Sequence, residues 1–309
     1  MSAHDRMPRM SRRSFLSAAV TAGAATGAAA LGFYTRRVEP HWLELAIRTL
    51  PVRHLPRCLE GRTLVQISDV HVGAQVDDEY LVDTFCRVAA LRPDIVVLTG
   101  DFISHHDHVL DQVSAVYRHF PNGCLATLAV LGNHDYGPGW SEPKLARALV
   151  EAVARFGITV LRNEIRDVEG LQIVGLDDWW AGRFHPAQAF ARHDLRRAAV
   201  VLSHNPDTVD LPGWNGYEGW VLSGHTHGGQ CKPPFLPAPL LPVRNKRYTS
   251  GEFAVSGNRR LYISRGVGHL LQVRFNARPE VTVFTLAREV TERNMYQSSN
   301  GPLPSTPDG

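Results

Sequence analysis

The sequence predicts an α/β fold, and two patterns support this prediction. Between residues 38 and 286, short runs rich in strand-forming residues alternate with segments long enough for helices, which is the order of elements in α/β domains. Nearly all of the strand-like runs are continuously apolar, as expected for strands covered on both faces of a sheet. No repeat of fixed period and no internal boundary interrupts the alternation, so we expect one domain.

Several segments can be assigned individually. The predicted strands are residues 63–68, 95–99, 125–131, 171–175, 200–203, 219–223, 261–264 and 281–285. One helix is expected at residues 80–91. Another is expected at residues 141–156, because Pro143 stands in its first turn and Gly157 follows its end.

Composition and charge are those of an ordinary globular protein. Of the 309 residues, 44% are hydrophobic and 20% are charged, so most of the chain can bury a core. The net charge of +3 is small and gives no support for nucleic-acid binding. The cysteines, Cys58, Cys86, Cys124 and Cys231, lack C-x-x-C spacing, and three lie in apolar or strand-like contexts typical of buried thiols. We therefore expect no disulfide framework.

Residues 1–35 have the layout of an export signal. Ser11-Arg12-Arg13-Ser14-Phe15-Leu16-Ser17 precedes an Ala- and Gly-rich run at residues 18–34, and the paired arginines resemble the twin-arginine motif of proteins exported in the folded state. Ala28-Ala29-Ala30 offers a cleavage site, although the run is nearly long enough to stay as an anchor. The alternative is a chance arginine pair before an ordinary helix.

Localisation and domain boundaries follow from that segment. We expect the protein in the periplasm or on the outer face of the cytoplasmic membrane, with the twin-arginine export machinery as a partner. Residues 36–287 are the predicted domain. Residues 288–309 are rich in Ser, Asn, Pro and Gly and are expected to form a disordered tail.

Polar motifs follow five of the predicted strands. In chain order they are Asp69-Val70-His71, Gly100-Asp101, Gly132-Asn133-His134-Asp135, His204 and Gly224-His225-Thr226-His227. In open α/β sheets, ligands bind beyond the carboxyl ends of the strands, so these motifs are expected to converge on one site. The glycines before Asp101, Asn133 and His225 allow the backbone to approach closely where a strand turns into a loop.

The residue types favour metal binding over nucleophilic catalysis. Carboxylate, imidazole and amide ligands without a thiolate favour manganese, iron, zinc or cobalt over a closed structural zinc site. Two divalent ions are needed to use this many ligands. A single D-x-H or H-x-H motif is weak evidence, because an isolated histidine at a strand end is usually a turn or core residue. Five motifs in order, each after an apolar strand, indicate a metal site.

The order of the motifs points to a known family. D-x-H, G-D, G-N-H-D, H and G-H-x-H, between residues 64 and 227, resemble the motifs of the calcineurin-like metallophosphoesterase superfamily. Ser203-His204-Asn205-Pro206-Asp207, Gly228-Gly229-Gln230 and Ser264-Arg265-Gly266-Val267-Gly268 are similar to an exported bacterial subgroup. The resemblance implies one four-layer α/β/β/α domain, in which two mixed sheets pack face to face between helices. The sequence pattern alone predicts only the α/β class.

The resemblance also implies a role for each motif residue. Asp69, His71 and His227 would hold one ion, Asn133, His204 and His225 would hold the other, and Asp101 would bridge the two. His134 would act beside the ions as a catalytic residue without binding them, and Asp135 would orient its imidazole. Gly100-Asp101-Phe102-Ile103-Ser104 lacks a second Asp that the family often has there, at a supporting position and not at a ligand.

The implied activity is hydrolysis of a phosphomonoester, a phosphodiester or a pyrophosphate. Two cations about 3.5–4 Å apart would clamp a phosphoryl oxygen and lower the pKa of a bridging water, whose hydroxide would attack phosphorus. Protonated His134 could stabilise or protonate the departing oxygen. Some similar proteins cleave the pyrophosphate of a nucleotide-linked acylated sugar, so an envelope or lipid-linked substrate fits the resemblance. Two alternatives are open: a metal-binding envelope protein without turnover, and a membrane-tethered interaction protein.

Substrate contacts are predicted from position alone. Asp177-Asp178-Trp179-Trp180 follows a buried strand, and Trp179 is the candidate for an aromatic wall, with core packing as the alternative. Arg183, Arg244 and Arg265 are candidates for binding a second phosphate. The apolar, proline-rich residues 233–237 and the basic residues 244–247 could face anionic lipid headgroups, or the loop could be a rigid lid.

Other histidines are expected to be solvated. His105, His106 and His108 follow Asp101 and could reach the site, yet histidines in polar loops are more often solvated. We interpret His185, His193 and His269 in the same way.

Overall fold

The computed structural model describes residues 11–104 and 108–289. Within these residues the helices are α1 (Arg12–Phe33), α2 (Asp78–Ala90), α3 (Val109–Tyr117), α4 (Pro143–Ala154) and α5 (Pro186–Phe190). The strands are β1 (Glu44–Val52), β2 (Thr63–Ile67), β3 (Ile95–Thr99), β4 (Ala126–Val130), β5 (Thr159–Val160), β6 (Glu164–Val168), β7 (Leu171–Gly175), β8 (Ala199–Leu202), β9 (Trp220–Ser223), β10 (Gly251–Val255), β11 (Arg259–Ile263) and β12 (Glu280–Arg288).

The strands of the described residues form two mixed sheets. The first has the order β1-β12-β2-β3-β4-β5, and its neighbours are parallel except for β12 and β2. The second has the order β10-β11-β9-β8-β7-β6, in which β10 and β6 run antiparallel to their neighbours. Because β2, β3 and β4 are parallel, as are β8 and β9, their carboxyl ends meet at one edge of each sheet.

Side chains that alternate along the central strands build the layers. In β2, Val65 packs in a core cluster with residues of α2, α3 and α4, while Leu64 packs in a second cluster with Leu202 of the other sheet. In β8, Val201 faces away from that second cluster, into a third one with Phe190 of α5. The layers are therefore helices, sheet, sheet, and α5 with its adjoining loops. This arrangement confirms the four-layer α/β/β/α sandwich.

The predicted strands are all present, and each lies inside a sheet. The strands that were not predicted are the edges of the two sheets, β1, β5, β6 and β10. An edge strand has a neighbour on one side only, so polar residues interrupt the continuous apolar run that marks an interior strand. In β6, Glu164, Arg166 and Asp167 are exposed. The apolar-run criterion therefore finds interior strands and misses edges.

Both predicted helices are present, with small changes at their ends. Helix α2 begins at Asp78, where the Asp77 side chain caps it by accepting a hydrogen bond from the backbone N–H of Glu79. Helix α4 begins at Pro143 and ends at Ala154. Proline suits this first turn because its missing N–H would have no partner within the helix.

Helix α1 stands apart from the sandwich, and none of its residues is buried. The helical stretch Arg12–His41 contains an 18-residue window with a mean hydropathy of 1.4, so it is long and apolar enough to cross a membrane, a property that signal sequences share. The predicted signal segment is described only from residue 11, and its cleavage stays a prediction.

At the carboxyl-terminal end, β12 includes Arg288, and the backbone N–H of Glu289 donates to the carbonyl of Val52 at 3.1 Å. The predicted tail thus began two residues too early, and residues 290–309 lie outside the described part.

The cysteines differ from the prediction of buried thiols. All four are free; Cys58, Cys86 and Cys124 are exposed, and Cys231 is partly exposed. Cys86 lies on the solvent-facing side of α2 beside the buried Phe85. Its apolar neighbours in sequence thus point to the core while the thiol itself does not, because neighbours on a helix face different directions.

Candidate metal centre

The polar motifs meet where the carboxyl ends of five central strands lie. Asp69 and His71 follow β2, and Asp101 follows β3; the other motifs follow β4, β8 and β9. The predicted ligands are all between 0% and 5% exposed, and they are Asp69, His71, Asp101, Asn133, His204, His225 and His227. Burying so many polar groups is costly unless they are paired with each other or with an ion. The motifs therefore converge as predicted.

The ligands form two groups. Asp69, His71 and His227 have ligand atoms within 4.8 Å of one another, and Asp101, His204 and His225 do as well. The two groups meet at Asp101, whose Oδ2 lies 3.5 Å from Nε2 of His71 and 3.2 Å from Nε2 of His204. One carboxylate oxygen can thus reach both groups, which suits a bridging ligand.

Each histidine has one ring nitrogen fixed by the protein. The outer contacts are His71 Nδ1 to Ser104 Oγ at 3.1 Å, His204 Nδ1 to the Thr99 carbonyl at 2.8 Å, His225 Nε2 to the Pro242 carbonyl at 2.7 Å and His227 Nδ1 to the Gly268 carbonyl at 3.3 Å. A carbonyl only accepts, so in the last three cases the outer nitrogen carries the hydrogen. When the ring is neutral, the inner nitrogen then has a free lone pair, as in histidines that bind metals.

The inner nitrogens point at one another. Nε2 of His71 lies 3.1 Å from Nε2 of His227, and Nε2 of His204 lies 3.1 Å from Nδ1 of His225. Asn133 Oδ1 lies 3.2 Å from the same Nε2 of His204, so the amide joins this second group. Converging lone pairs repel unless a cation lies between them. The donor set therefore fits two divalent ions held by nitrogen and oxygen ligands.

Burial and the two carboxylates set the charge of the site. Burial lowers the pKa of His71 and of His225 to about 3, which keeps both imidazoles neutral. Burial also raises the pKa of Asp69 to about 7. For His204, burial disfavours the charged ring, but the attraction of Asp101 outweighs this effect and the pKa rises to about 10. The carboxylates thus favour positive charge in the cluster, either as a proton on His204 or as a cation that takes the place of that proton.

The backbone of the motifs is strained. Asp69, His71, Asp101, His225 and His227 have positive φ angles between 50° and 71°. Residues other than glycine rarely adopt this region, and such residues concentrate at functional sites. Glycine allows the close approach at Gly132, where an added Cβ would collide with the Asp101 carboxylate. This supports the prediction that the motif glycines allow close approach of the backbone.

His134 and Asp135 differ from the arrangement that the resemblance implied. The His134 backbone N–H donates to Asp101 Oδ1 at 3.0 Å, and its half-buried ring makes an edge contact with His71 at 5.2 Å. The Asp135 carboxylate, however, accepts from the backbone N–H groups of Phe102, Ile103 and Gly132 at 2.8, 3.2 and 2.8 Å. Asp135 therefore fixes the loops after β3 and β4, and its role in orienting the His134 imidazole is corrected.

The aromatic wall is formed by different tryptophans from the one predicted. The Trp180 ring lies 4.4 Å from the His225 ring at an angle of 88°, and Trp140 lies 4.6 Å from Trp180. Trp179 instead lies under the guanidinium of Arg244, at 4.5 Å. The signal for Trp140 was its position in the turn directly after the G-N-H-D motif.

The three arginines that were predicted to bind a second phosphate have different surroundings. Arg183 is exposed, and Arg244 is exposed against Trp179. Arg265 is engaged by Glu280 at 2.6 Å and by Glu44 at 3.1 Å. Two carboxylates already neutralise that guanidinium, so the structure does not support Arg265 as a phosphate ligand.

Only some of the remaining histidines are solvated. His108 and His185 are exposed, His193 is partly buried, and His105 and His106 lie outside the described residues. His269 is fully buried, and its Nε2 donates to the Gln75 carbonyl at 2.9 Å. Its prediction as a solvated residue was wrong, because the loop that carries it packs on the domain.

Fold and site together define a metal-dependent hydrolase of phosphate esters. The sequence profile of the calcineurin-like phosphoesterases matches residues 62–229. The chain belongs to this family.

Relatives from three bacteria support the assignment. A metallophosphoesterase of Bacillus subtilis, YkuE, is 34% identical over 91% of this chain and 99% of its own length. Phosphodiesterase YaeI of Escherichia coli is 34% identical over 90% of this chain and 99% of its own length. UDP-2,3-diacylglucosamine pyrophosphatase LpxG of Chlamydia muridarum is 28% identical over 81% of this chain and 91% of its own length.

Proposed function

We propose that this chain is a dinuclear phosphoesterase that hydrolyses phosphodiester or pyrophosphate bonds, and phosphomonoesters less readily. Asp69, His71 and His227 would hold one ion. Asn133, His204 and His225 would hold the other, with Asp101 between them. The observation that carries this proposal is the pair of buried ligand groups within reach of one Asp101 oxygen. When bound, two divalent ions supply the charge that polarises a phosphoryl group and activates water.

His134 is the proposed general acid. Its ring is half-buried at the edge of the cluster, and in the part of the chain that the structure describes its ring nitrogens have no hydrogen-bond partner. Its backbone is fixed by Asp101, so the imidazole is positioned while its nitrogens stay available to a leaving group. An imidazole placed in this way can donate a proton to the departing oxygen.

The preference for diesters and pyrophosphates is supported by the wall beside the second ligand group. Trp140 and Trp180 pack there at an angle of 30° to each other, next to His225. A phosphomonoester has one substituent, whereas a diester or pyrophosphate has a second one that such rings can hold. Two relatives that carry the names phosphodiesterase and UDP-2,3-diacylglucosamine pyrophosphatase also support this preference.

Export through the twin-arginine route is part of the proposal. It is supported by Arg12-Arg13 at the start of α1 and by the apolar character of that helix. A protein exported in the folded state could acquire its ions before it crosses the membrane. Fractionation with N-terminal sequencing of the mature protein tests this: a chain that keeps Arg12 in the cytoplasmic fraction would contradict it.

Turnover is tested with the purified full-length chain. The chain is stripped with a chelator and reloaded separately with manganese, iron, zinc or cobalt, and bound metal is counted. We expect two ions per chain and hydrolysis of bis(p-nitrophenyl) phosphate with at least one metal. His134→Ala should keep the metal content and lose about 100-fold or more in kcat. Two bound ions without turnover of any ester would indicate a metal-binding protein instead of this enzyme.

A further inference from the structure

Exposed apolar side chains cluster in two loops of the domain. Phe235 is fully exposed, and Leu236 and Leu240 are 61% and 77% exposed in the loop after the G-H-x-H motif. Leu271 is 63% exposed, with Leu270 beside it at 39%. We name these five residues the apolar rim. Single exposed hydrophobic residues are common on protein surfaces, but a contiguous group marks an interaction site.

Hydrogen bonds tie the two loops of the rim together. The backbone N–H of Lys232 donates to the Phe275 carbonyl at 2.8 Å, and that of Phe275 donates to the Gln230 carbonyl at 2.9 Å. The Gln230 side chain donates to the Leu271 carbonyl at 2.9 Å. The rim is therefore one surface on paired backbone and not two independent loops.

The same surface receives the end of helix α1. The Arg274 backbone N–H donates to the Thr35 carbonyl at 2.9 Å, and Tyr34, Pro234 and Phe275 line one pocket. Four residues after Thr35, the buried Glu39 accepts from the Ala277 N–H at 2.7 Å. Only Tyr34 separates α1 from its first bond to the domain. No flexible linker intervenes, so a bilayer that holds α1 also meets the rim.

Charge and aromatic residues around that junction suit an anionic lipid surface. Arg36 and Arg37 are exposed directly after α1. Trp42 is 50% exposed and lies 4.2 Å from the guanidinium of Arg278. Basic residues next to a membrane-spanning segment attract anionic headgroups, and tryptophan favours the membrane interface. The acidic Glu44 on this side is paired with Arg265 and Arg278 and leaves no net negative charge there.

The rim is joined to the metal centre. Its loop packs on the turn after His227, because Ala238 lies where a side chain on Gly229 would have to stand. Two residues beyond Leu240, the Pro242 carbonyl accepts from Nε2 of His225 at 2.7 Å. A bilayer in contact with the rim thus lies next to the ligand groups.

We propose that the apolar rim docks on an anionic lipid bilayer at the exit of α1, and that the metal centre acts on phosphate esters whose hydrocarbon chains stay in that bilayer. The docking stands on the rim and the junction alone. The substrate class rests on the proposed function.

Docking is tested first by lipid cross-linking of the full-length protein. The protein is reconstituted into vesicles of phosphatidylethanolamine and phosphatidylglycerol that contain a diazirine-labelled phospholipid, and adducts are located by mass spectrometry. Adducts are expected on α1 and on the rim, and not at Ile47 or Leu195, which are 74% and 54% exposed elsewhere. Adducts confined to α1, or as frequent at the two reference residues, would overturn the docking.

Presentation of the substrate is tested with one variant and one matched control. A long-chain alkyl p-nitrophenyl phosphodiester in the same vesicles is compared with bis(p-nitrophenyl) phosphate in solution. Phe235→Ser/Leu236→Ser/Leu240→Ser should keep the solution rate and lose about tenfold or more of the vesicle rate. The control Ile47→Ser/Leu195→Ser should keep both. Equal loss of the two rates, or no loss, would refute presentation by the bilayer.

The proposed function can be refuted independently of the docking. A wild-type protein that hydrolyses neither ester with manganese, iron, zinc or cobalt would refute the proposed activity and with it the substrate class. The cross-linking pattern would still decide the docking, since it requires no turnover.

Discussion

Arg274 is expected to position the metal ligand His227, although it is not itself a ligand. Its side chain is fully buried and donates to four backbone carbonyls: Ala277 at 2.7 Å, Arg265 at 3.0 Å, Gly266 at 3.2 Å and Gly268 at 2.6 Å. The Gly268 carbonyl also accepts from Nδ1 of His227. Arg274 therefore fixes the acceptor that sets the tautomer of His227.

The loss of stability expected for Arg274→Met follows from the backbone carbonyls that would lose the guanidinium as a hydrogen-bond donor. The Gly266 carbonyl keeps a donor in the Glu280 N–H at 3.0 Å, and the Gly268 carbonyl keeps His227. The carbonyls of Arg265 and Ala277 lose their donor among the described residues. Two orphaned buried acceptors cost about 2–6 kcal/mol, and part of this is offset because the guanidinium no longer has to be buried. We expect a net loss of about 3 kcal/mol in the free energy of unfolding.

Manganese affinity is the second measurement that tests whether Arg274 positions His227. Loss of a group that orients a metal-bound histidine typically weakens binding by about 10- to 100-fold, and we expect a value in this range for Arg274→Met. Unfolding in urea with a chelator measures stability, and calorimetric titration with Mn²⁺ measures affinity. Arg274→Lys, which keeps the charge and fewer donors, should fall between the wild type and Arg274→Met in both. An Arg274→Met protein that is less stable yet binds Mn²⁺ as tightly as the wild type would refute the positioning role.

Three further predictions follow from single contacts. Trp180→Ala removes the ring against His225 and should raise KM more than it lowers kcat for esters with bulky leaving groups; an unchanged KM would argue against the aromatic wall. Asp94 accepts from the Thr63 N–H at 2.7 Å and from Arg62 at 2.9 Å, at the amino-terminal ends of β2 and β3, opposite the ends that carry the metal ligands. Asp94→Ala should therefore cost about 2 kcal/mol in urea unfolding without altering Mn²⁺ affinity, which makes it a control for Arg274→Met. Burial lowers the pKa of His269 to about 4. As the pH falls below 6.5, the imidazole therefore binds a proton in the unfolded chain but stays neutral in the folded chain until about pH 4. Stability should fall by about 3 kcal/mol as the pH drops from 6.5 to 4, and His269→Gln should flatten that part of the curve measured with saturating Mn²⁺.

The parts of the fold that could be predicted from sequence are those buried on both sides. Interior strands such as β3 and β8 are continuous apolar runs because sheet or helix covers both of their faces. The edge strand β1 escaped prediction because three consecutive residues, 47–49, are exposed and Pro51 lies within it. Its partner is β12, more than 200 residues later. Pairing over such a distance leaves no local signal in the sequence.

The candidate site shows the same division between local and distant information. Each ligand motif is local, since a buried strand and the polar residues that follow it are adjacent in sequence, so the ligand groups could be predicted. The aromatic wall could not be predicted, because Trp140 and Trp180 come from turns 40 residues apart and meet only in the folded protein. The choice between Trp179 and Trp180 depends on the direction of one turn. Periodicity does not determine that direction.

The contacts that tune the ligands lie largely outside the motifs. His225 is fixed by the Pro242 carbonyl, and His227 by the Gly268 carbonyl that Arg274 holds. All three of these residues follow residue 229, where the match to the family profile ends. A change in this later segment can therefore alter ring orientation and ligand basicity while every ligand stays in place.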